Sequence, residues 1–378
     1  MNRPHHGGNL NWAARIAGCP VSALTDFSAS INPLGTPESA ISAILSNTPQ
    51  LGAYPDPEYT ELRSAIAQHH QIDPGFILPG NGSAELLTWA GRELAQQNCT
   101  YLITPAFSDY ARALNAFGGK MVPCPLSFDF PGRGDSGKGD SGKGDSGKGV
   151  LGKGVLGKGE RPFAPTSGLL LNNPHNPTGK LWTREELLPY LKQFNLVVID
   201  EAFMDFLEPS QEQSLIPWVA EYPNLVILRS LTKFYSLPGL RIGYAIAHPD
   251  RLKRWQQWRD PWSVNTLAAA ATAAALQDKE FQQQTWNWLT PARSRLFQQL
   301  EAIPGLEPLE GAANYLLVQT QMSATSLQEQ LLRNYQIVIR DCLSFPELGD
   351  RYFRLAVRLP SENDRLTEAI AAIVEAES

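Results

Sequence analysis

Four short apolar runs limit what this chain can fold into. They are Tyr101-Leu-Ile-Thr104, Gly168-Leu-Leu-Leu171, Leu196-Val-Val-Ile199 and Leu225-Val-Ile-Leu228. Each has the length and composition of a buried strand. Helical stretches such as 83–97 and 183–194 separate them, and Thr183-Arg-Glu-Glu186 has the S/T-x-x-E form of a capping box, which marks a helix start. Strands alternating with helices predict an α/β fold with a mostly parallel central sheet covered on both faces. Ligands of such sheets gather at the carboxyl ends of the strands. Asn172-Asn173, Asp200 and the run from Ser230 to Lys233 all stand at such ends.

Beyond about residue 262 the texture changes. An Ala-rich helix (267–277) leads into a long Gln/Trp/Arg helical stretch (279–302), then two strand-like runs, Ala313–Gln319 and Tyr352–Val357, and a final helix over 361–376. The expected organisation is an N-terminal arm (1–35) near the site, a large domain (36–262) and a smaller α+β C-terminal domain (263–378); a chain of 378 residues is long enough for two domains. Inside the large domain, residues 135–159 repeat a five-residue unit five times, DSGKG DSGKG DSGKG VLGKG VLGKG. Its glycines carry a high backbone entropy and it has few apolar residues, so it reads as a flexible surface insertion. Gly132 to Gly137-Lys138 imitates a phosphate-binding GxxxxGK, but Gly139 follows the lysine instead of Ser or Thr and no strand precedes it, so the P-loop reading lacks its magnesium ligand and its context.

Composition excludes some functions. The net charge of −6 leaves no basic surplus for a nucleic-acid partner. No run of about 18 apolar residues predicts a membrane span, and MNRPHHGGNLNW has no apolar leader segment, so a cytoplasmic protein is expected. The four cysteines are far apart without a CxxC pair, which predicts free thiols, and no histidine has HExxH or other metal-ligand spacing, so no metal is expected.

Several short stretches offer chemistry alongside a plainer structural use. Asp200 ends an apolar strand, either as a cap for the next segment or as a buried anion that holds a protonated ring nitrogen or a metal. Asn172-Asn-Pro-His-Asn-Pro-Thr-Gly179 is a proline-stiffened loop that can simply turn, or can hold the Asn176 amide against a ligand. Gly80-Asn-Gly-Ser-Ala84 opens a helix, and the free N–H groups of such a turn form a phosphate cradle. In 229–244, RSLTKFYSLPGLRIGY, Lys233 fits a solvated helix end, an anion site or a lysine that bonds an aldehyde, with Arg241 on the same loop able to grip a phosphate.

Together, in this order, the motifs GNGSAE, PAFSDY, NNPHNPTG, DEAFMDF and SLTKFYSLPGLRIG resemble the fold-type I pyridoxal-phosphate enzymes of the aspartate aminotransferase superfamily. The resemblance implies pyridoxal 5′-phosphate as cofactor. Lys233 would carry it covalently, Asp200 would pair with its ring nitrogen and Asn176 would hydrogen-bond its ring hydroxyl. Gly82, Ser83, Ser230 and Arg241 would hold its phosphate, and Phe107 would stack on its ring. Phe203 stands where many relatives have a tyrosine that bonds the ring hydroxyl. Tyr54, in Ala-Tyr-Pro-Asp-Pro, would reach the phosphate of a partner subunit, which implies a homodimer with shared sites. Arg354 would grip the substrate carboxylate.

Within this superfamily, DFSASINPLG and YPDPEYTELR are similar to histidinol-phosphate aminotransferases. The opening His6-Gly-Gly-Asn9 together with Asp26–Gly35 and the DEAFMDF form resembles the threonine-phosphate decarboxylases of cobalamin synthesis more closely. That resemblance implies conversion of L-threonine O-3-phosphate to (R)-1-amino-2-propanol O-2-phosphate and carbon dioxide; the alternative is transamination of histidinol phosphate with 2-oxoglutarate. Both reactions start on the same catalytic lysine. The bond that breaks is the one standing perpendicular to the cofactor ring, so substrate posture selects between them. The arm is expected to set that posture: His6, Gly8, Asn9 and Asn32 would bind the substrate phosphate, helped by Arg340 in Val-Ile-Arg-Asp.

Overall fold

The computed structural model describes residues 3–126 and 166–377; the glycine repeat at 135–159 lies outside the described residues. The four predicted strands form the middle of a seven-stranded sheet. In chain order its strands are β1 (Ile77–Asn81), β2 (Thr100–Thr104), β3 (Met121–Pro125), β4 (Gly168–Asn172), β5 (Leu196–Asp200), β6 (Leu225–Ser230) and β7 (Ile242–Ala247). Their spatial order is β1-β7-β6-β5-β4-β2-β3. The pairs from β6 across to β3 are parallel, and β7 runs antiparallel to both of its neighbours.

Alternate residues of each central strand serve opposite faces. Leu169, Leu171, Val197, Ile199 and Ile227 belong to one apolar cluster, whereas Leu170, Val198, Val226 and Leu228 belong to the other. Each such side chain, taken fully out of water, contributes about 1.5–3 kcal/mol, which is why these runs carry no polar residue until their carboxyl ends.

Three strands were not legible as apolar runs, for identifiable reasons. The outermost strands β1 and β3 contain prolines (Pro79; Pro123 and Pro125), and a residue without an N–H is tolerated at a sheet edge where no further ladder is needed. Strand β7, Ile-Gly-Tyr-Ala-Ile-Ala, is diluted by small residues. Its Gly243 is required by contact: a Cβ there would lie 2.6 Å from both the Arg229 carbonyl oxygen and the Ser83 nitrogen. The predicted capping box at Thr183 forms, with Thr183 N–H donating to Glu186 and Glu186 N–H donating to the Thr183 hydroxyl. The helix predicted over 83–97 ends earlier, at Leu94.

The C-terminal part has a second, antiparallel sheet of β8 (Leu306–Pro308), β9 (Tyr315–Thr320), β10 (Arg340–Asp341) and β11 (Tyr352–Ala356), ordered β10-β11-β9-β8. The helices Thr266–Gln277, Lys279–Glu301 and Pro360–Glu377 lie where the sequence placed them. The N-terminal arm is fastened to this part. Trp12 and Ala13 pack with Leu332 and Val338, and Thr25–Asp26 pairs in parallel with Ile337–Val338. The arm then crosses to the lysine loop, where the Asn32 N–H donates to the Lys233 carbonyl (3.0 Å). Among the described residues no helix is long and apolar enough to cross a membrane, and no group of His, Cys, Asp and Glu could hold a metal ion.

Candidate active site

The carboxyl ends of β1, β2, β4, β5 and β6 converge on one cleft, closed by β10, β11 and the arm. It is lined by Ser83, Phe107, Asn176, Asp200, Phe203, Ser230, Lys233 and Arg241 from the large sheet side. His6, Arg340 and Arg354 line it from the opposite side.

Asp200 is the last residue of β5. Its carboxylate accepts from the Tyr110 hydroxyl (2.8 Å) and from the Ala202 N–H (3.0 Å). Burial pushes its carboxyl up, against the opposing effects of those two donors and of Lys233. Lys233 follows β6, where burial and the cations Arg354 and Arg241 bring its ammonium down to about 8. A lysine so tuned exposes a free amine near neutral pH, as attack on an aldehyde requires.

An anion cradle lies beside them. Gly82 adopts φ +76° and a Cβ on it would lie 2.7 Å from an Arg241 nitrogen, so glycine lets that guanidinium approach the helix start at Ser83. Arg241 is itself held in the left-handed region (φ 55°) and donates to the Pro238 carbonyl (3.0 Å). The hydroxyls of Ser230 and Thr232 pair at 2.8 Å on the neighbouring turn. Hydroxyls, a guanidinium and a helix N-terminus on a backbone that admits no side chain are the donor set a phosphate monoester takes.

The far wall is cationic. Arg340 and Arg354 are direct cross-strand partners on β10 and β11. Arg354 donates to Asn176 Oδ1 and to the Ser28 carbonyl (3.4 Å) and lies 4.9 Å from the Tyr315 ring, while its buried Nε has no partner. Arg340 donates to the carbonyls of Pro4 (2.9 Å) and His5 and to Ser344 Oγ (2.6 Å), and its nearest carboxylate, Asp341, is 4.0 Å away. The His6 ring lies 5.5 Å from that of Phe107. Phe203 is buried edge-to-face against Tyr315 (4.9 Å), and the Tyr315 hydroxyl is committed to the His175 carbonyl.

Three residues expected at the substrate are not in this cleft. The Asn32 side chain is spent inside the fold: Nδ2 donates to the Phe234 carbonyl (2.9 Å) and Thr285 Oγ1 (2.8 Å), and Oδ1 accepts from Leu34 N–H. Asn9 caps the helix Leu10–Ala17 through Trp12 N–H (3.1 Å). Gly8 turns the chain at φ +80° and gives its N–H to Ser28 Oγ (2.8 Å). Tyr54 is also outside the cleft, 81% exposed, with its ring 4.7 Å from that of Trp262. Conversely, Tyr110 and Ser344 line the cleft without having been singled out in the sequence. Tyr110 was within reach, because it falls on the same helix turn as Phe107 in PAFSDY.

The chain belongs to the aminotransferase class I and II family, whose model matches residues 22–373. Within it the chain is 37% identical to the threonine-phosphate decarboxylase of Salmonella typhimurium over 98% of this chain and 96% of that protein. It is 30% identical to the adenosylcobalamin biosynthesis bifunctional protein CobDQ of Leptospira interrogans over 99% of this chain and 41% of that protein. Among solved structures it is similar to histidinol-phosphate aminotransferase from Sinorhizobium meliloti in complex with pyridoxal-5′-phosphate, with a TM-score of 0.81, 23% identity, and coverage of 98% of this chain and 95% of that one. The cofactor of this chain is pyridoxal 5′-phosphate, and the donor set around Gly82, the tuned Lys233 and the half-buried Asp200 fit it.

Proposed function

We propose that this enzyme decarboxylates L-threonine O-3-phosphate to (R)-1-amino-2-propanol O-2-phosphate and carbon dioxide, in cobalamin synthesis. The observation that carries this reading is the pair of cross-strand arginines. Among the described residues Arg354 meets only neutral groups, with Nε unpartnered, and Arg340 has one distant carboxylate. A buried and a half-buried guanidinium side by side repel, and an anionic ligand offsets that cost. Threonine phosphate brings two anions, a carboxylate and a phosphate. Histidinol phosphate brings a phosphate but no carboxylate, whereas the 2-oxoglutarate of transamination brings two carboxylates, so the arginine pair favours a doubly anionic ligand and the sequence likeness decides between the reactions. The likeness to threonine-phosphate decarboxylase over nearly the whole chain supports the same assignment.

The bound cofactor supplies a sink for the electrons left when a bond to the substrate Cα breaks. Lys233 would hold the cofactor, and its side chain, when protonated, could deliver a proton to the substrate Cα. Asp200 would pair with the ring nitrogen and favour its protonated form. Arg354 and Arg340 hold the substrate's two anionic ends and so fix which bond stands perpendicular to the ring, while the arm, through His5 and His6, closes the cleft against water. Tyr54, exposed beside Trp262, would complete the phosphate cradle of a second subunit in a homodimer. The four described cysteines are free thiols, which suits the cytoplasm.

Product analysis tests the assignment. Incubated with L-threonine phosphate, the holoenzyme is expected to release carbon dioxide and aminopropanol phosphate without any keto acid. Turnover only when histidinol phosphate and 2-oxoglutarate are supplied together would replace decarboxylation with transamination.

A further inference from the structure

The Asp200 carboxylate is held by two donors of different origin. One, the Ala202 N–H, belongs to its own turn. The other, the Tyr110 hydroxyl, comes from the helix Ser108–Asn115, ninety positions earlier in the chain. Tyr110 is 2% exposed, and its ring stands edge-to-face with Phe107 at 5.7 Å. One short helix therefore brings both an aromatic wall of the cleft and the hydroxyl that grips the acid. A carboxylate at a strand end otherwise rotates freely about its last bond, and a hydrogen bond to a charged acceptor is strong where water is excluded.

We propose that Tyr110 is a positioning residue, whose hydroxyl fixes the Asp200 carboxylate and through it the enzyme's hold on the ring nitrogen of its cofactor. The inference rests on the reading of Asp200 as the partner of that nitrogen. Among the described residues no other contact of Tyr110 uses its oxygen: its ring packs in the apolar cluster with Leu86, Leu87 and Leu114. Burial and Asp200 push the phenol up, well above its ordinary value, so the hydroxyl stays a donor throughout the working range. The other groups acting on Asp200 are the cation of Lys233 and the carboxylate of Asp109, and a change at Tyr110 leaves both in place.

The test is a double-mutant cycle on cofactor affinity, measured by titrating apoprotein with pyridoxal 5′-phosphate and following the visible band. Y110F keeps the ring and deletes only the hydroxyl. It is expected to weaken cofactor binding about tenfold and to lower kcat for L-threonine phosphate by a similar factor, with KM within about twofold. D200A alone should weaken binding more, and adding Y110F to D200A should change little further, because the hydroxyl then has no acceptor to hold. Y110F indistinguishable from wild type in affinity and kcat overturns the inference, as does a double variant whose losses multiply. D200A that binds the cofactor with wild-type affinity and spectrum removes the role of Asp200 itself, and this inference with it.

Discussion

Two arginine sites, one buried and one half-buried, lie within this one structure and are built on opposite terms. Arg229, 1% exposed, sits in β6 and is saturated: Nε donates to Glu201 (3.0 Å), and its two Nη groups meet Asp205 and Glu212. Arg354 lies among neutral oxygens and a ring face, with one nitrogen unpartnered. The chain assigns neighbouring residues to the two sites. Ser230 and Asp200 face the cleft, while Arg229 and Glu201, each one position away, face the saturated cluster. A residue step in a strand turns the side chain to the other face, so one strand end serves catalysis and the fold at once. A buried cation with its full set of anions is structural, and a half-buried one without them is placed for a ligand.

The sharpest break in that contrast is at the covalent anchor, which belongs wholly to the cleft. Lys233→Ala should abolish the visible band of the holoenzyme and lower turnover by about 10⁴-fold or more; an unchanged band would mean that another amine carries the cofactor. Next come the two arginines, whose replacement should separate cleanly. Arg229→Ala leaves three carboxylates without their cation and should cost about 3–5 kcal/mol of stability, measured by urea unfolding. Arg354→Ala should alter stability by no more than about 1 kcal/mol while lowering kcat/KM for L-threonine phosphate about a hundredfold. Equal stability losses in the two variants would erase the distinction.

A smaller, graded effect follows from Lys233. Its amine bonds an aldehyde only when unprotonated, and its ammonium is brought down to about 8. The rate of cofactor attachment to apoprotein should therefore rise about tenfold per pH unit up to about 8 and flatten above it, as followed by stopped-flow absorbance. The smallest effect is expected at the repeat: deleting 135–159 should leave kcat/KM within about twofold.

Much of this was legible in the sequence, and the rest was hidden for physical reasons. Runs such as Leu196–Ile199 identified themselves because a strand buried on both faces tolerates no polar residue. The edge strands did not, since Pro79, Pro123 and Pro125 mask a strand at a sheet margin. Among site residues, Asp200, Ser230 and Lys233 stood out by their place at or just after strand ends and Asn176 by its proline-stiffened loop, but position alone left each open to a structural use, and their roles came from the family resemblance. Asn9 and Asn32 misled because an amide near a cleft has the same letter whether it binds a ligand, caps a helix or, like Asn32, ties the arm to Phe234 and Thr285. The Arg229 cluster escaped notice for a related reason: its carboxylates come from positions 201, 205 and 212, and only the fold reveals that all three meet one guanidinium.

The central claim is that the unsaturated arginine pair reads a substrate with two anionic ends. It is tested most directly by comparing kcat/KM for L-threonine phosphate and for unphosphorylated L-threonine in wild type and in Arg340→Ala. The account predicts a strong preference for the phosphorylated substrate in wild type, about a hundredfold or more, that collapses by at least tenfold in the variant. A preference undiminished in Arg340→Ala would contradict it.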